Sequence, residues 1–204
     1  TLAVENGVGD IVADSISELY KLQKIAGQQG KTVSVSLRIK PGIDAHTHEF
    51  IRTGQIDSKF GIDLSSGEAL EAVKLASQMD HIVLRGVHCH IGSQIFEKQP
   101  FVHAAEVMLD FLARVKKVLG EELEFLNLGG GFGIHYTERD DAIPYEEYME
   151  AVSEAIHQKC EEHSLSMPKI YIEPGRSIVG EAGITLYTVG SVREIPGVRN
   201  YVMI

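Results

Sequence analysis

Apolar positions along the chain fall into short runs separated by amphipathic stretches, and two periods alternate. TVSVSLRIK (32–40) repeats every two residues and is rich in β-branched side chains, the signature of a strand. DIVAD (10–14), HIVLRGVH (81–88), EFLNL (124–128) and KIYIE (169–173) are further strand-like runs. Between them the pattern is helical. Ser15 and Glu18 have capping-box spacing, with Asp14 beside them, and open a helix reaching about Gln29. Ser65 and Glu68 cap another, to about Met79. Val102, Ala105, Leu109, Leu112, Val115 and Leu119 form one stripe at helical spacing. Pro144 suits the first turn of a helix that ends near Ser164. TLAVENGVG at the start reads as a helix tail, and residues 43–64 read as a long polar loop of the kind that often carries function.

Five β-then-α units predict an α/β fold with a parallel, helix-covered sheet. Two architectures satisfy that periodicity: a (β/α)8 TIM-type barrel with roughly its last five strands present, and an open doubly wound sheet. Several apolar runs end in polar or glycine-rich chemistry, which favours the barrel, where strand ends converge on one mouth. After Gly183, ITLYTVGSVREI and VRNYVMI alternate as two strands with no helix between them. The expected domains are therefore residues 1–183, a barrel lacking its N-terminal part, and residues 184–204, the start of a C-terminal β domain. Thr1 is not methionine and Ile204 stops inside an apolar run, so the chain is expected to be part of a longer protein.

Charge narrows the partners. With 19 Lys plus Arg against 29 Asp plus Glu, the formal net charge is -10, which argues against nucleic acid and anionic membranes. No apolar run approaches the roughly 20 residues that cross a bilayer. Cys89 and Cys160 stand in unrelated contexts without metal-knuckle spacing, as expected of reduced thiols in a cytoplasmic protein.

Each strand ending has a functional and a structural reading. In LNLGGGFGI, Gly129, Gly130 and Gly131 follow a strand directly, either as a nest of amides for an anion or as a tight βα turn. The run matches neither the dinucleotide-binding nor the P-loop spacing. HIGSQ offers His90 to stack on a planar ring and Ser93 to hold phosphate; a rim histidine is the plainer alternative. His88 and His90, like His46 and His48, are two apart and could share a metal, but no acidic third ligand stands with them, so no metal is expected. In EPGR, Glu173 can pair with a protonated ring nitrogen while Arg176, across the rigid Pro174-Gly175 turn, reaches an anion; a structural ion pair is the alternative. Arg38 is a further inward-facing cation or a salt-bridged rim residue. Phosphate-binding glycines, a stacking imidazole, a carboxylate for a ring nitrogen and arginines for carboxylates make the set that a pyridoxal 5′-phosphate site requires.

RIKPG, THEF, SKFG, HCHIGSQ, LNLGGGFGI and EPGRSIVGEAG, in this order, resemble the diaminopimelate decarboxylase branch of the alanine racemase-like, fold type III pyridoxal phosphate decarboxylases. The resemblance runs over essentially the whole chain. HIGSQ and EPGRSIVGEAG favour that branch over the ornithine, arginine and carboxynorspermidine decarboxylases. It implies a barrel carrying the cofactor and a C-terminal β domain completing the site across a homodimer. It implies that His90 stacks on the pyridine ring, that Ser93 and Gly129 to Gly131 hold the phosphate, and that Glu173 pairs with the ring nitrogen. Pro174, Gly175 and Arg38 belong to the implied cofactor site, and Arg176 lies beside the phosphate and helps bind the substrate's distal end. Catalytic roles fall on His90 and Glu173. Lys59 is implied to serve architecture and the dimer interface; His46, His48 and His88 match family positions without a catalytic role.

The implied activity is that of a pyridoxal phosphate-dependent carboxy-lyase converting meso-2,6-diaminopimelate to L-lysine, the last step of lysine biosynthesis. The family's Schiff-base lysine, in a Tyr-Ala-x-Lys-Ala-Asn context, and its C-terminal acid cysteine and tyrosine have no counterpart here, so this chain alone is expected to be inactive. Three other readings stand beside this one: another basic amino acid or polyamine decarboxylase of the same fold, a metal-dependent barrel hydrolase using His88 and His90, and a non-catalytic pyridoxal phosphate-binding protein.

Overall fold

The computed structural model describes residues 1–43 and 59–204. His46, His48 and the THEF run lie outside the described residues. The short helix α1 (Leu2–Glu5) precedes β1 (Ile11–Ala13) and α2 (Ile16–Gln28). Then come β2 (Val33–Lys40), β3 (Ile62–Asp63), α3 (Glu68–Ser77), β4 (Ile82–His88), α4 (Gln99–Leu119), β5 (Phe125–Asn127), α5 (Tyr145–His163), β6 (Lys169–Tyr171) and α6 (Arg176–Val179). A hairpin of β7 (Ser191–Ile195) and β8 (Arg199–Met203) follows.

Alternation in β2 sets the two faces of the sheet. Val33, Val35, Leu37 and Ile39 are buried in one apolar core with Leu19 and Ala26 of α2 and with Ala69, Ala72, Val73 and Ala76 of α3. Ser34, Ser36, Arg38 and Lys40 therefore point to the opposite face. On that face Asp10 accepts hydroxyl hydrogens from Ser34 (2.8 Å) and Ser36 (2.7 Å). The sheet interior at this end is polar, unlike its helix-covered outside.

The parallel strands run in the order β1-β2-β4-β5-β6, with β3 alongside the end of β2. Apart from β3, each strand pairs with its predecessor in the chain. An open doubly wound sheet would reverse order at a switch point; this succession, with α3 packed on α4 and α4 on α5, is that of a barrel wall. The five long-range parallel strands are the five read from the sequence. Arg85 bulges out of β4, where Val35 opposes Leu84 but Ser36 opposes Gly86. No helix of the described residues is long and apolar enough to cross a membrane.

Several local expectations change. Ser15 does cap α2, its Oγ accepting the Glu18 N–H at 3.3 Å. Asp14 does not; its carboxylate takes Arg38 at 3.3 Å, because the strand end aims it across to β2. At α3 the cap is Gly67 in the left-handed region, not Ser65. Ser65 instead donates to Asp63 Oδ2, which also accepts the Ser66 N–H, so the end of β3 claims the serine before the helix can. Helix α4 starts earlier than its stripe, with Pro100 in the first turn. Of ITLYTVGSVREI only Ser191–Ile195 forms a strand, the part that pairs along β8. The hairpin is antiparallel and separate from the parallel sheet.

Gly86 shows how tight the wall is: a Cβ there would lie 2.5 Å from the Phe125 ring on the neighbouring strand. Gly86→Ala should cost about 1–3 kcal/mol by overpacking. The check is urea unfolding, with a lower midpoint and an unchanged m-value; an unchanged midpoint would mean that Phe125 moves freely.

Candidate active site at the strand ends

The polar chemistry gathers at one end of the sheet because the register brings it level. Arg38 pairs with His88 across β2 and β4, His88 with Asn127 across β4 and β5, and Asn127 with Tyr171 across β5 and β6. The chain beyond each of these residues forms the site, as expected at the C-terminal ends of barrel strands.

The glycine triplet is where three of these segments touch. A Cβ at Gly129 (φ +70°) would lie 2.5 Å from the Cys89 carbonyl oxygen. At Gly130 it would collide with the Glu173 carbonyl, and at Gly131 (φ +105°) with the Gly92 carbonyl. The turn is thus pressed against both the HIGSQ loop and the EPGR turn. Its amides are partly engaged: the Gly129 N–H donates to Asn127 Oδ1 (2.9 Å) and the Gly130 N–H to His90 Nδ1 (3.3 Å). Within the triplet, only the Gly131 N–H is left without a protein acceptor among the described residues. Phe132 anchors the turn from below, stacked on Phe101 at 4.6 Å and edge-on to Tyr148.

Glu173 is held by its backbone and by both carboxylate oxygens. Its N–H donates to the Gly129 carbonyl at 2.8 Å. Oε1 accepts from Asn127 Nδ2 at 2.9 Å, and Oε2 lies 3.3 Å from His88 Nε2. The side chain is still 49% exposed, so it can meet a ligand. On the other flank Arg176 donates to Ser93 Oγ at 2.9 Å and lies over the Tyr136 ring. Gln94, at φ 56°, makes a two-way amide pair with the Ile134 backbone, both bonds 3.0 Å. With Ile95 bonded to Gly131 and Gly133, that clamp ties the HIGSQ loop to the glycine turn. Pro174 and Gly175 carry the chain from Glu173 into α6.

Charge in the site favours neutral imidazoles. Burial pushes His88 below the ordinary histidine range, and Arg38 and His90 push the same way while Glu173 opposes them. Burial and Arg38 also lower His90. Because His90 Nδ1 accepts the Gly130 N–H, its other nitrogen carries the hydrogen. Arg38 itself is paired with Asp14 and stacked over Phe60 at 4.8 Å. Burial pushes the Cys89 thiol up to about 12, which suits a packed core residue. His88 and His90 do not share a metal geometry: one faces Glu173, the other the glycine turn. The only metal-range cluster among the described residues, Asp110, Glu162 and His163, is on the outer helices, with Lys159 bonded to both acids.

A family model, the pyridoxal-binding domain of pyridoxal-dependent decarboxylases, matches residues 1–180. The chain belongs to this family. The diaminopimelate decarboxylase of Halalkalibacterium halodurans is 52% identical over 203 residues, 100% of this chain and 46% of that protein. That of Bacillus subtilis is 48% identical over the same shares. A crystal structure of the M. jannaschii diaminopimelate decarboxylase in complex with L-lysine has a TM-score of 0.84 at 36% identity, covering 98% of this chain and 45% of that one. The chain spans about half the length of the curated relatives it matches.

The strand-end residues of this pyridoxal-dependent decarboxylase domain fit the cofactor. An exposed imidazole face, an open carboxylate and an arginine–serine pair beside an uncommitted amide meet the needs of a ring, its nitrogen and its phosphate respectively. The structure brings His90, Ser93, Gly129 to Gly131, Glu173 and Arg176 together, with Arg38 acting on the imidazoles by charge. Sequence reasoning missed Asn127 and Gln94. A lone amide inside the apolar run EFLNL was the available signal for the first.

The depressed imidazoles make stability depend on pH. The folded state binds protons at His88 and His90 less readily than the unfolded chain, whose histidines titrate near 6.5. Stability is therefore full above about pH 6.5 and is lost as pH falls towards the folded values. The urea midpoint should drop between about pH 7 and 5.5, and His88→Gln should flatten that slope. A slope unchanged by the substitution would contradict the buried neutral imidazole.

Proposed function

We propose that the chain is the cofactor-bearing part of a diaminopimelate decarboxylase, the enzyme that releases the carboxylate at the D-configured carbon of meso-2,6-diaminopimelate to give L-lysine. Residues 1–183 are the barrel portion and 184–204 the start of a β domain, in a cytoplasmic homodimer whose partner completes the site. Two relatives bearing that enzyme's name over the whole chain support the reading, as does the L-lysine complex of a structural neighbour. The observation that carries it is the Glu173 carboxylate, half exposed and fixed on both oxygens at the strand ends.

Bound pyridoxal phosphate supplies an electron sink for the pair left behind when the carboxylate departs. The residues of the chain hold and tune that sink. Glu173 would accept from the ring nitrogen and favour its protonated form, deepening the sink; a cation at this place would do the reverse. His90 would cover one ring face. Arg176, bonded to Ser93, would hold the phosphate with that serine and the Gly131 N–H, and its guanidinium would also suit the substrate's distal carboxylate. Gly129 and Gly130 shape the turn more than they donate, since their amides already have acceptors.

In the full-length enzyme, Glu173→Gln should lower kcat on the order of a hundredfold while leaving the affinity for pyridoxal phosphate nearly unchanged. Arg176→Ala should do the opposite first, weakening the cofactor affinity roughly tenfold or more. Steady-state kinetics and fluorescence titration of the cofactor separate the two. Full turnover in the Glu173→Gln enzyme would remove the assigned role.

A further inference from the structure

The two groups that hold the Glu173 carboxylate are both uncharged, and they come from different strands. His88 closes β4 with its side chain 6% exposed and its Nε2 3.3 Å from Oε2. Asn127 closes β5 with its Nδ2 2.9 Å from Oε1. The direction of each bond is settled by its surroundings. Asn127 Oδ1 accepts the Gly129 N–H, so the amide nitrogen must face Glu173. His88 is neutral, so the nitrogen that faces a carboxylate carries the hydrogen. Its other nitrogen, Nδ1, is then a bare acceptor, buried and without a partner among the described residues. A histidine placed only to fill space need not leave a buried polar atom unsatisfied.

We propose that His88 and Asn127 are positioning residues that aim the Glu173 carboxylate at the pyridine nitrogen of the cofactor while leaving its negative charge unshared; this rests on the reading of Glu173 given above. A lysine or arginine in either place would orient the carboxylate as well, but would neutralise the field that keeps the ring nitrogen protonated. Arg38, whose register partner is His88, is bound to Asp14 at 3.3 Å instead. Asn127 has a second task. Its Oδ1 holds the Gly129 N–H, and the Gly129 carbonyl accepts the Glu173 N–H at 2.8 Å. One small hydrogen-bonded ring thereby joins the carboxylate to the glycine turn, so the nitrogen end and the phosphate end of the site are set together. His88 touches only the nitrogen end.

The test uses the full-length holoenzyme loaded with pyridoxal phosphate labelled with nitrogen-15 in its ring, read by NMR alongside kcat, KM and cofactor affinity. His88→Ala should move the ring nitrogen signal towards its unprotonated position and lower kcat roughly ten- to a hundredfold, with KM and cofactor affinity nearly unchanged. His88→Gln, which keeps an uncharged donor, should restore most of both. Asn127→Ala should shift the signal similarly and also weaken cofactor binding. His88→Met keeps the buried bulk without the donor and replaces the alanine variant if that one does not fold. A wild-type nitrogen signal and kcat in the donorless His88 variants, with both changed in Glu173→Gln, would overturn the positioning role and leave Glu173 in place. An unmoved signal in Glu173→Gln itself would overturn the underlying reading.

Discussion

The approach of three backbone segments at Gly129, Gly130 and Gly131 is the constraint on which the rest of the site depends. Each of these positions faces a carbonyl oxygen of a neighbouring segment at a distance no side chain allows: Cys89, Glu173 and Gly92 in turn. That contact lets β5 end in a turn narrow enough for the HIGSQ loop and the EPGR turn to close on it from either side. Glu173 then reaches Asn127 and His88, and Arg176 reaches Ser93. A methyl group at any of the three would push one of these loops away. The aromatic group of Phe101, Phe132 and Tyr148 beneath the turn, with the Tyr148 hydroxyl bonded to the Ile95 carbonyl at 2.9 Å, holds that geometry from the core side.

Upon that frame the charges are placed economically. The chain is acidic as a whole, yet its site has cations on two sides and a carboxylate between them. Arg38 is compensated by Asp14 and still discourages protonation of both imidazoles. Neutral His88 and Asn127 can therefore orient Glu173 by hydrogen bonds without taking its charge. The barrel's inward face is already polar beneath them, where Asp10 takes the two serine hydroxyls of β2.

Much of this was legible in the amino-acid order. Period-two alternation located β2 and its faces, and the strand-end motifs located His90, Ser93, the glycines, Glu173 and Arg176. Strand order was not legible, because periodicity is the same in a barrel and in a doubly wound sheet; pairing alone distinguishes them. Caps failed where a nearby charged group competed: the Asp63 carboxylate drew Ser65 away from α3, and the Arg38 guanidinium drew Asp14 away from α2. The glycine run reads equally as an amide nest or a tight turn; Asn127 and His90 occupy two of its amides, and the His90 contact, 40 residues away, lies in no local window. The task of His88 is hidden from a local window for the same reason, since its partner is 85 residues away.

Central to the proposed function is one cradle at these strand ends, with its nitrogen acceptor at Glu173 and its phosphate grip at Gly131, Ser93 and Arg176. A crystal structure of the full-length protein with pyridoxal phosphate bound tests it most directly. The expected result is a ring nitrogen within hydrogen-bond distance of the Glu173 carboxylate, the ring against His90, and the phosphate against Gly131, Ser93 and Arg176. A cofactor whose nitrogen faces any other group, or whose phosphate lies away from the glycine turn, would contradict it.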